Sequence, residues 1–355
     1  MPRTFYPLRV ADIRRETDDT VSVALAVPDD LAEEFAFAPG QFLSFRIDGP
    51  DGEPVDRSYS ICSGLDDGEL RIVVKRLAGG VFGEHAHTMM KVGDVLDTLP
   101  PLGRFTTALD PLHHKAYLAV ASGSGIAPVM SLARSILARE PNSRMTILYG
   151  NRGSSSVIFR EALSDLKDLH LDRLQLIYVF SREQQATPLL NGRLDADKLR
   201  GLSKELIDVT SYDDAFACGP EPMTLEARET LIVLGIPADH VHLELYGSHA
   251  PKPARTADPR DSEVVKLDIV FGGIRRTVDG HRAETVLDTA SAAGLDVPFS
   301  CTGGVCATCR ARVVDGNVEM AVNYALQPWE LDAGFVLTCQ ARPTTPEVTV
   351  DYDAV

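Results

Sequence analysis

The sequence predicts a multidomain β and α/β protein: an antiparallel β-barrel, then a parallel α/β domain, then a third domain built around a cysteine cluster. Three observations lead there. Residues 1 to about 108 alternate apolar and polar positions in short runs broken by Gly and Pro, the period-2 rhythm of half-buried strands. From Lys115 onward the rhythm becomes apolar strands followed by helical patterns, as in a parallel sheet with crossover helices. Four of the six cysteines fall between 301 and 339. A chain of 355 residues also exceeds what one hydrophobic core usually serves.

In the barrel, Gly40 to Ile47 and Leu70 to Lys75 show the alternation most clearly. In the second domain, strands are expected near Ala116 to Ala121, Met145 to Tyr149, Leu174 to Phe180 and Ala215 to Cys218. Residues 247 to 262 hold Pro251, Pro253 and Pro259 among small and charged residues, which favours an extended tether over packed structure. A third domain begins near Glu263. There, Val313-Val314-Asp315-Gly316-Asn317-Val318 places an Asp-Gly turn between apolar strands, a hairpin signal.

Composition narrows the function. Apolar residues make up 44% and charged ones 24%, enough to bury cores. The net charge of −16 argues against a phosphate-backbone partner, since nucleic-acid binding rests on basic patches. No run approaches the roughly 18 apolar residues of a membrane span, and Met1 to Tyr6 show no apolar signal region. A cytoplasmic protein that binds neither nucleic acid nor membrane is expected. In a reducing cytosol the cysteines call for another explanation than disulfides.

That explanation is their spacing. Cys301-x4-Cys306-x2-Cys309, followed by Cys339 after twenty-nine intervening residues, is the plant-type 2Fe-2S ferredoxin pattern. Three thiolates must converge from one tight loop, and Gly303 and Gly304 let its backbone aim amides at sulfur. A zinc site with four cysteine ligands is the competing reading, although zinc modules generally bring two closely spaced pairs and here the fourth cysteine is solitary. Asn323-Tyr324-Ala325-Leu326 and Leu337-Thr338-Cys339-Gln340 also resemble this ferredoxin family, whereas Thr302 stands where relatives often carry Arg.

Arg57-Ser58-Tyr59-Ser60 resembles the RxYS motif of the ferredoxin-NADP reductase superfamily, over residues 1 to about 246. The resemblance implies that Tyr59 stacks on an isoalloxazine, Ser60 hydrogen-bonds near flavin N5, and Arg57 meets the FAD pyrophosphate. Val74, Lys75, Gly79, Gly80, Val81 and Phe82 extend the flavin site, small residues letting main-chain amides approach phosphate. Ala121-Ser122-Gly123-Ser124-Gly125-Ile126-Ala127-Pro128 follows a strand and opens a helical pattern, the context that makes a Gly-rich turn a phosphate cradle. Cys218-Gly219-Pro220 is similar to the superfamily motif beside the nicotinamide, with Ser60 and Cys218 at the reacting centre and Glu244 and Tyr246 bordering it. Cys62 reads as a small buried hydrophobe, and no histidine is assigned to catalysis.

Coenzyme choice follows from the strand ends. NAD-binding units tend to place an acid at the end of the second strand, yet here that strand runs into Gly150-Asn151-Arg152. Phe180-Ser181-Arg182-Glu183-Gln184 resembles the Ser-Arg pair of plant-type reductases, whose guanidinium grips a 2'-phosphate. NADPH is favoured over NADH, with Arg152, Ser181, Arg182 and Arg193 as its contacts.

Nearly the whole chain resembles the reductase components of ring-1,2-phenylacetyl-CoA epoxidases, through Tyr149-Gly150-Asn151-Arg152, Phe159-Arg160, Leu190-Asn191-Gly192-Arg193, Ala217-Cys218-Gly219-Pro220, His242-Leu243-Glu244 and Val318-Glu319-Met320. That resemblance implies an FAD-binding β-barrel over 1–110, an NAD(P)H-binding α/β domain over 111–246, a linker over 247–262, and a β-grasp 2Fe-2S ferredoxin domain over 263–355. It implies electron flow from NADPH to FAD to the cluster and on to a diiron oxygenase of phenylacetate degradation. Reductases of steroid 9α-hydroxylases share the layout, and a stand-alone diaphorase is a further alternative.

Overall fold

The computed structural model describes residues 4–48, 52, 54–245 and 260–354. Tyr246 and nearly all of segment 247–262 lie outside these described residues. The chain divides into two compact units, residues 5–246 and a second comprising residues 1–4 and 247–355.

Six strands build the first sheet: β1 (Tyr6–Thr17), β2 (Thr20–Ala26), β3 (Phe42–Asp48), β4 (Pro54–Ser60), β5 (Leu70–Lys75) and β6 (Val95–Leu102). Their order is β4-β3-β6-β1-β2-β5, all antiparallel. A bridge from Ile61 to Ile72 draws the two edge strands together, which removes the exposed edges an open sheet would present. Leu8, Val10, Val23, Leu43, Phe45 and Ile72 fill the interior. Helix α1 (Val81–Thr88) adds Phe82 to the same core.

The second sheet is wholly parallel: β7 (Ala116–Ser122), β8 (Arg144–Asn151), β9 (Leu174–Phe180), β10 (Asp214–Gly219) and β11 (Val241–Leu245), in the order β11-β10-β7-β8-β9. Helices α2 (Ile126–Arg139), α3 (Arg160–Leu169), α4 (Ala196–Glu205) and α5 (Glu221–Val233) make the crossovers. The central strands are buried on both faces, which is why Ala116 to Ala121 reads as a continuous apolar run. Strand order reverses between β7 and β10, the switch point where such sheets bind ligands at their carboxyl ends.

Helix α2 joins this sheet to the barrel. Ser131 Oγ donates to the Ser63 carbonyl (2.7 Å) and Ser135 Oγ accepts from the Leu65 amide (3.1 Å). Arg139 pairs with Asp66 at 2.8 Å and Arg134 with Asp67.

The C-terminal unit holds β12 (Val264–Phe271), β13 (Ile274–His281), α6 (Val286–Ala292), β14 (Arg310–Asp315), β15 (Val318–Met320), α7 (Pro328–Asp332), β16 (Phe335–Leu337), β17 (Ala341–Pro343) and β18 (Glu347–Asp351). The main sheet runs β13-β12-β18-β14-β16, with a small β15-β17 sheet beside it. Helix α6 starts with a reciprocal cap, Thr285 Oγ1 accepting from the Asp288 amide (3.1 Å) while Asp288 accepts from the Thr285 amide (3.4 Å). It buries Val286, Leu287 and Ala290 against Leu267, Ile269 and Val348, the β-grasp arrangement.

One sequence expectation is corrected here. The Asp315-Gly316 turn forms, with Gly316 at φ +79°, yet β14 and β15 do not pair as a hairpin: β14 pairs with β16 and β18, and β15 with β17. The turn lies against a different segment. A Cβ on Gly316 would sit 2.3 Å from the Glu347 carbonyl oxygen, and Asn317 exchanges hydrogen bonds with Thr345 Oγ1 and the Thr344 amide, both 2.9 Å. Those bonds carry the chain away from β14.

Between β7 and α2, the Gly123–Gly125 turn packs directly on the end of β10. A Cβ on Gly125 would lie 2.1 Å from the Cys218 carbonyl oxygen, so only glycine allows this approach. Gly125→Ala should cost about 1 to 3 kcal/mol through overpacking, read as a lowered midpoint of thermal unfolding. An unchanged midpoint would show that the turn and β10 can separate freely.

Candidate functional site

The carboxyl ends of β10 and β11 face the end of β4. Ser60 Oγ donates to Glu244 Oε2 at 2.6 Å, and Cys218 Sγ lies 3.9 Å from the same oxygen. All three side chains are buried. A hydroxyl from the barrel thus meets a thiol and a carboxylate from the parallel sheet, and parallel pairing sets Cys218 directly beside Glu244.

Tyr59 neighbours Ser60 on β4. Its ring centroid is 4.8 Å from Phe82 and 6.3 Å from Phe45, and burial pushes its phenol up to about 12, the Arg57 charge opposing. Arg57 Nη1 donates to the Asp56 carbonyl (2.9 Å), and Ser58 Oγ shares a 2.8 Å hydrogen bond with Ser44 Oγ. Val74 is buried, and Lys75 Nζ reaches Asp19 at 3.3 Å. Gly80 precedes the first residue of α1, Val81, so Gly80, Val81 and Phe82 present a helix N-terminus beside Tyr59. Cys62, by contrast, is buried away from this chemistry, with its thiol on the Arg71 carbonyl (3.3 Å).

The Gly-rich turn bends between β7 and α2. Tyr149 Oη donates to the Gly123 carbonyl (2.9 Å), while Ser124, Gly125 and buried Pro128 lead into a 14-residue helix. Amides at such an N-terminus favour an anion. Gly219, at φ +158°, and Pro220 turn the chain from β10 into α5 on the other side of the switch point.

Beyond it, the ends of β8 and β9 gather basic residues. The Ser181 amide donates to Asn151 (3.0 Å) and the Arg182 amide to Arg152 (2.8 Å), while the Gly192 amide donates to Phe180 (2.8 Å) and brings Arg193 to the same edge. Arg152, Ser181, Arg182 and Arg193 are exposed. Among the described residues, none of the three guanidinium groups has an ion-pair partner. Sequence reasoning missed one group here. Strand β8 itself ends without an acid, but the Glu183 carboxylate returns to accept from the Ser154 amide (2.7 Å) and hydroxyl (2.9 Å), bonds that pull it below the usual carboxylate range. Only the fold reveals that it crosses to the strand before its own.

In the C-terminal unit the four cysteines come as two pairs. Cys306 and Cys301 are linked by the Cys301 amide to Cys306 Sγ (3.5 Å) and the Cys306 amide to Cys301 Sγ (3.4 Å), and Gly303 also donates to Cys301 Sγ (3.4 Å). Cys306 and these amides hold the Cys301 thiol below its ordinary value. The Cys309 and Cys339 thiols interact with each other. Gln340 Nε2 clamps the loop, donating to the Thr302 carbonyl (2.7 Å) and lying 3.7 Å from Cys339 Sγ. Thr302 and Ala307 adopt φ of 49° and 54°, conformations that non-glycine residues hold only under strong local constraint. Among the described residues no three Cys, His, Asp or Glu side chains converge on one metal-sized point. The pairing of Cys301 with Cys306 and of Cys309 with Cys339 suits a two-iron cluster with two thiolates on each iron.

The comparisons with known proteins agree with this geometry. Residues 7–107 match the oxidoreductase FAD-binding domain family, 119–229 the oxidoreductase NAD-binding domain family, and 270–344 the 2Fe-2S iron-sulfur cluster binding domain family. The chain is 42% identical to one of the polypeptides of the 1,2-phenylacetyl-CoA epoxidase of Escherichia coli (strain K12), over 99% of this chain and 98% of that protein. It is 37% identical to the ferredoxin reductase component of 3-ketosteroid-9-alpha-monooxygenase from Mycobacterium tuberculosis (strain CDC 1551 / Oshkosh), over 98% and 95%. Phthalate dioxygenase reductase shares the fold, with a TM-score of 0.52 at 20% identity, 98% of each chain being covered.

Because the sulfurs and the Ser60–Glu244 site belong to different compact units, Cys309→Ser should abolish the visible and electron paramagnetic resonance signatures of the cluster while reduced coenzyme still bleaches the flavin. Loss of flavin bleaching in a folded variant would contradict this separation.

Proposed function

Because the chain belongs to the ferredoxin-NADP reductase superfamily, among the oxygenase reductase components that carry a C-terminal 2Fe-2S domain, we propose that it is the NADPH-dependent reductase of a diiron phenylacetyl-CoA 1,2-epoxidase. We take the FAD-binding barrel as 1–110, the coenzyme domain as 111–246, a linker as 247–262 and the ferredoxin domain as 263–355. The observation that carries the reading is the meeting of Ser60, Cys218 and Glu244 at the switch point of the parallel sheet. FAD bound to the barrel would supply the chemistry that accepts a hydride from reduced nicotinamide and hands on single electrons, and Cys301, Cys306, Cys309 and Cys339 would hold the 2Fe-2S cluster that receives them.

The chain's own residues bind and orient. Arg57 would neutralise FAD phosphate, the amides of Gly80, Val81 and Phe82 would add to that cradle, and Tyr59 would offer its ring to the isoalloxazine. Ser60, backed by the Glu244 carboxylate, offers a hydroxyl that can hold a hydrogen bond at the reacting flavin nitrogen and pass a proton inward. Cys218 supplies a small, buried, polarizable wall for the nicotinamide, with Gly219 and Pro220 shaping the opening. Gly123, Ser124 and Gly125 receive the coenzyme pyrophosphate at the start of α2.

NADPH in preference to NADH is supported by Arg152, Arg182 and Arg193 beside Ser181, exposed cations without an ion-pair partner among the described residues. Arg182→Ala should raise the KM for NADPH with little effect on NADH, since a lost charge-assisted hydrogen bond costs about 1.5 to 3 kcal/mol. Equal effects on both coenzymes would shift the 2'-phosphate site to Arg152 and Arg193.

The oxygenase and its substrate rest on the 42% identity to the epoxidase polypeptide over nearly its full length. The 37% identity to the steroid monooxygenase component supports a second reading, in which a steroid hydroxylase is the partner. Residues 263–355 carry seven basic and thirteen acidic side chains, so docking should favour a basic oxygenase face and weaken with salt. The assay is product formation from phenylacetyl-CoA with NADPH and purified diiron oxygenase, repeated as salt is raised. Epoxide that declines with salt, while ferricyanide reduction changes less, is expected. No epoxide, together with brisk turnover beside a steroid hydroxylase oxygenase, would replace the first reading with the second.

A further inference from the structure

Thr308 lies between two of the cluster cysteines. The Arg310 amide closes a turn onto the Ala307 carbonyl at 3.0 Å, which holds the backbone from Ala307 through Arg310. The Thr308 hydroxyl oxygen is buried and, among the described residues, has no hydrogen-bond partner. A buried hydroxyl left unpaired costs roughly 1 to 3 kcal/mol, so a native chain rarely keeps one without a reason. Thr308 stands two residues after Cys306 and one before Cys309. By contrast, Thr338 Oγ1, at the other end of the site, already donates to the Cys309 carbonyl (3.0 Å) and accepts from Tyr352 Oη (2.9 Å).

We infer that Thr308 is a potential-setting residue: its hydroxyl donates a hydrogen bond to a cluster sulfur, the Cys306 thiolate or a bridging sulfide, and so makes the cluster easier to reduce. The inference rests on Cys301, Cys306, Cys309 and Cys339 being the ligands. Reduction adds one electron to a group whose sulfurs already carry negative charge, and a donor aimed at sulfur stabilises the reduced form more than the oxidised form. The cluster must accept electrons from the flavin one at a time, so this single bond shifts the balance of that step without touching the flavin site.

The test is a redox titration of the full-length protein carrying flavin and cluster, followed by electron paramagnetic resonance, for wild type, Thr308→Val and Thr308→Ser. Cluster content is measured first by iron and visible absorbance. Thr308→Val, which keeps the shape and removes the donor, should lower the reduced-to-oxidised ratio at a given potential by about tenfold, equivalent to 59 mV for one electron. Thr308→Ser, which keeps the donor, should titrate close to wild type, and the flavin should be unchanged in both. A fully loaded Thr308→Val that titrates with wild type overturns the inference, as does a Thr308→Ser shifted as far as the valine variant. Should the valine variant load poorly, Thr308→Ala replaces it under the same criteria. If iron remains bound and the cluster signal survives in Cys309→Ser, the ligand assignment itself fails, a different outcome from an unmoved potential.

Discussion

Helix α2 serves two ends of the same problem. Along its length, Ser131, Arg134, Ser135 and Arg139 fasten it to the barrel residues Ser63, Leu65, Asp66 and Asp67. At its start, the Gly123–Gly125 turn presses on the Cys218 backbone so closely that no side chain fits at Gly125. Barrel, Gly-rich turn and the end of β10 are therefore held in one register by one helix. Reactions between two bound rings depend steeply on their separation, a displacement of about 1 Å costing on the order of 10²-fold. The 2.6 Å bond from Ser60 to Glu244 exists because that register is kept.

The cluster loop solves a different problem, that of holding several thiolates close together. Amides from Cys301, Gly303 and Cys306 point at sulfur, and the loop accepts left-handed backbone at Thr302 and Ala307 to aim them. Gln340 ties the distant strand end back to Thr302. Its amide therefore bridges the chain near the first cysteine to the residue after the last. This explains how a solitary Cys339 keeps register with three sulfurs far earlier in the chain without a second closely spaced cysteine.

Much of this was legible in the chain. Strands β7, β8 and β10 announced themselves because burial on both faces demands unbroken apolar runs, and Gly123 and Gly125 because a turn onto a helix N-terminus needs glycine in a recognisable place. The cysteines were legible because their spacing is that of the 2Fe-2S domain family, which residues 270–344 match. What was hidden depends on chain crossings that no local pattern records. Gly316 signalled a turn correctly, but the partner of β15 was decided by hydrogen bonds to Thr344 and Thr345. Glu183 looked like part of a surface motif until the fold carried its carboxylate to Ser154. Thr308 was invisible for the opposite reason: a threonine in a loop is ordinary until its hydroxyl is found buried and, among the described residues, without a partner.

Because Ser60, Cys218 and Glu244 all sit within residues 5–246, and the four sulfurs all within the other compact unit, the chain has unequal tolerance for recombination. A gene fusion joined between positions 246 and 260 would sever none of the hydrogen bonds described above. A crossover near position 112 would separate Ser63 from Ser131 and Ser60 from Glu244 at once, and the new halves would have to rediscover both seams. The barrel and the coenzyme domain thus lean on each other's side chains, and a working exchange has to move them as one part.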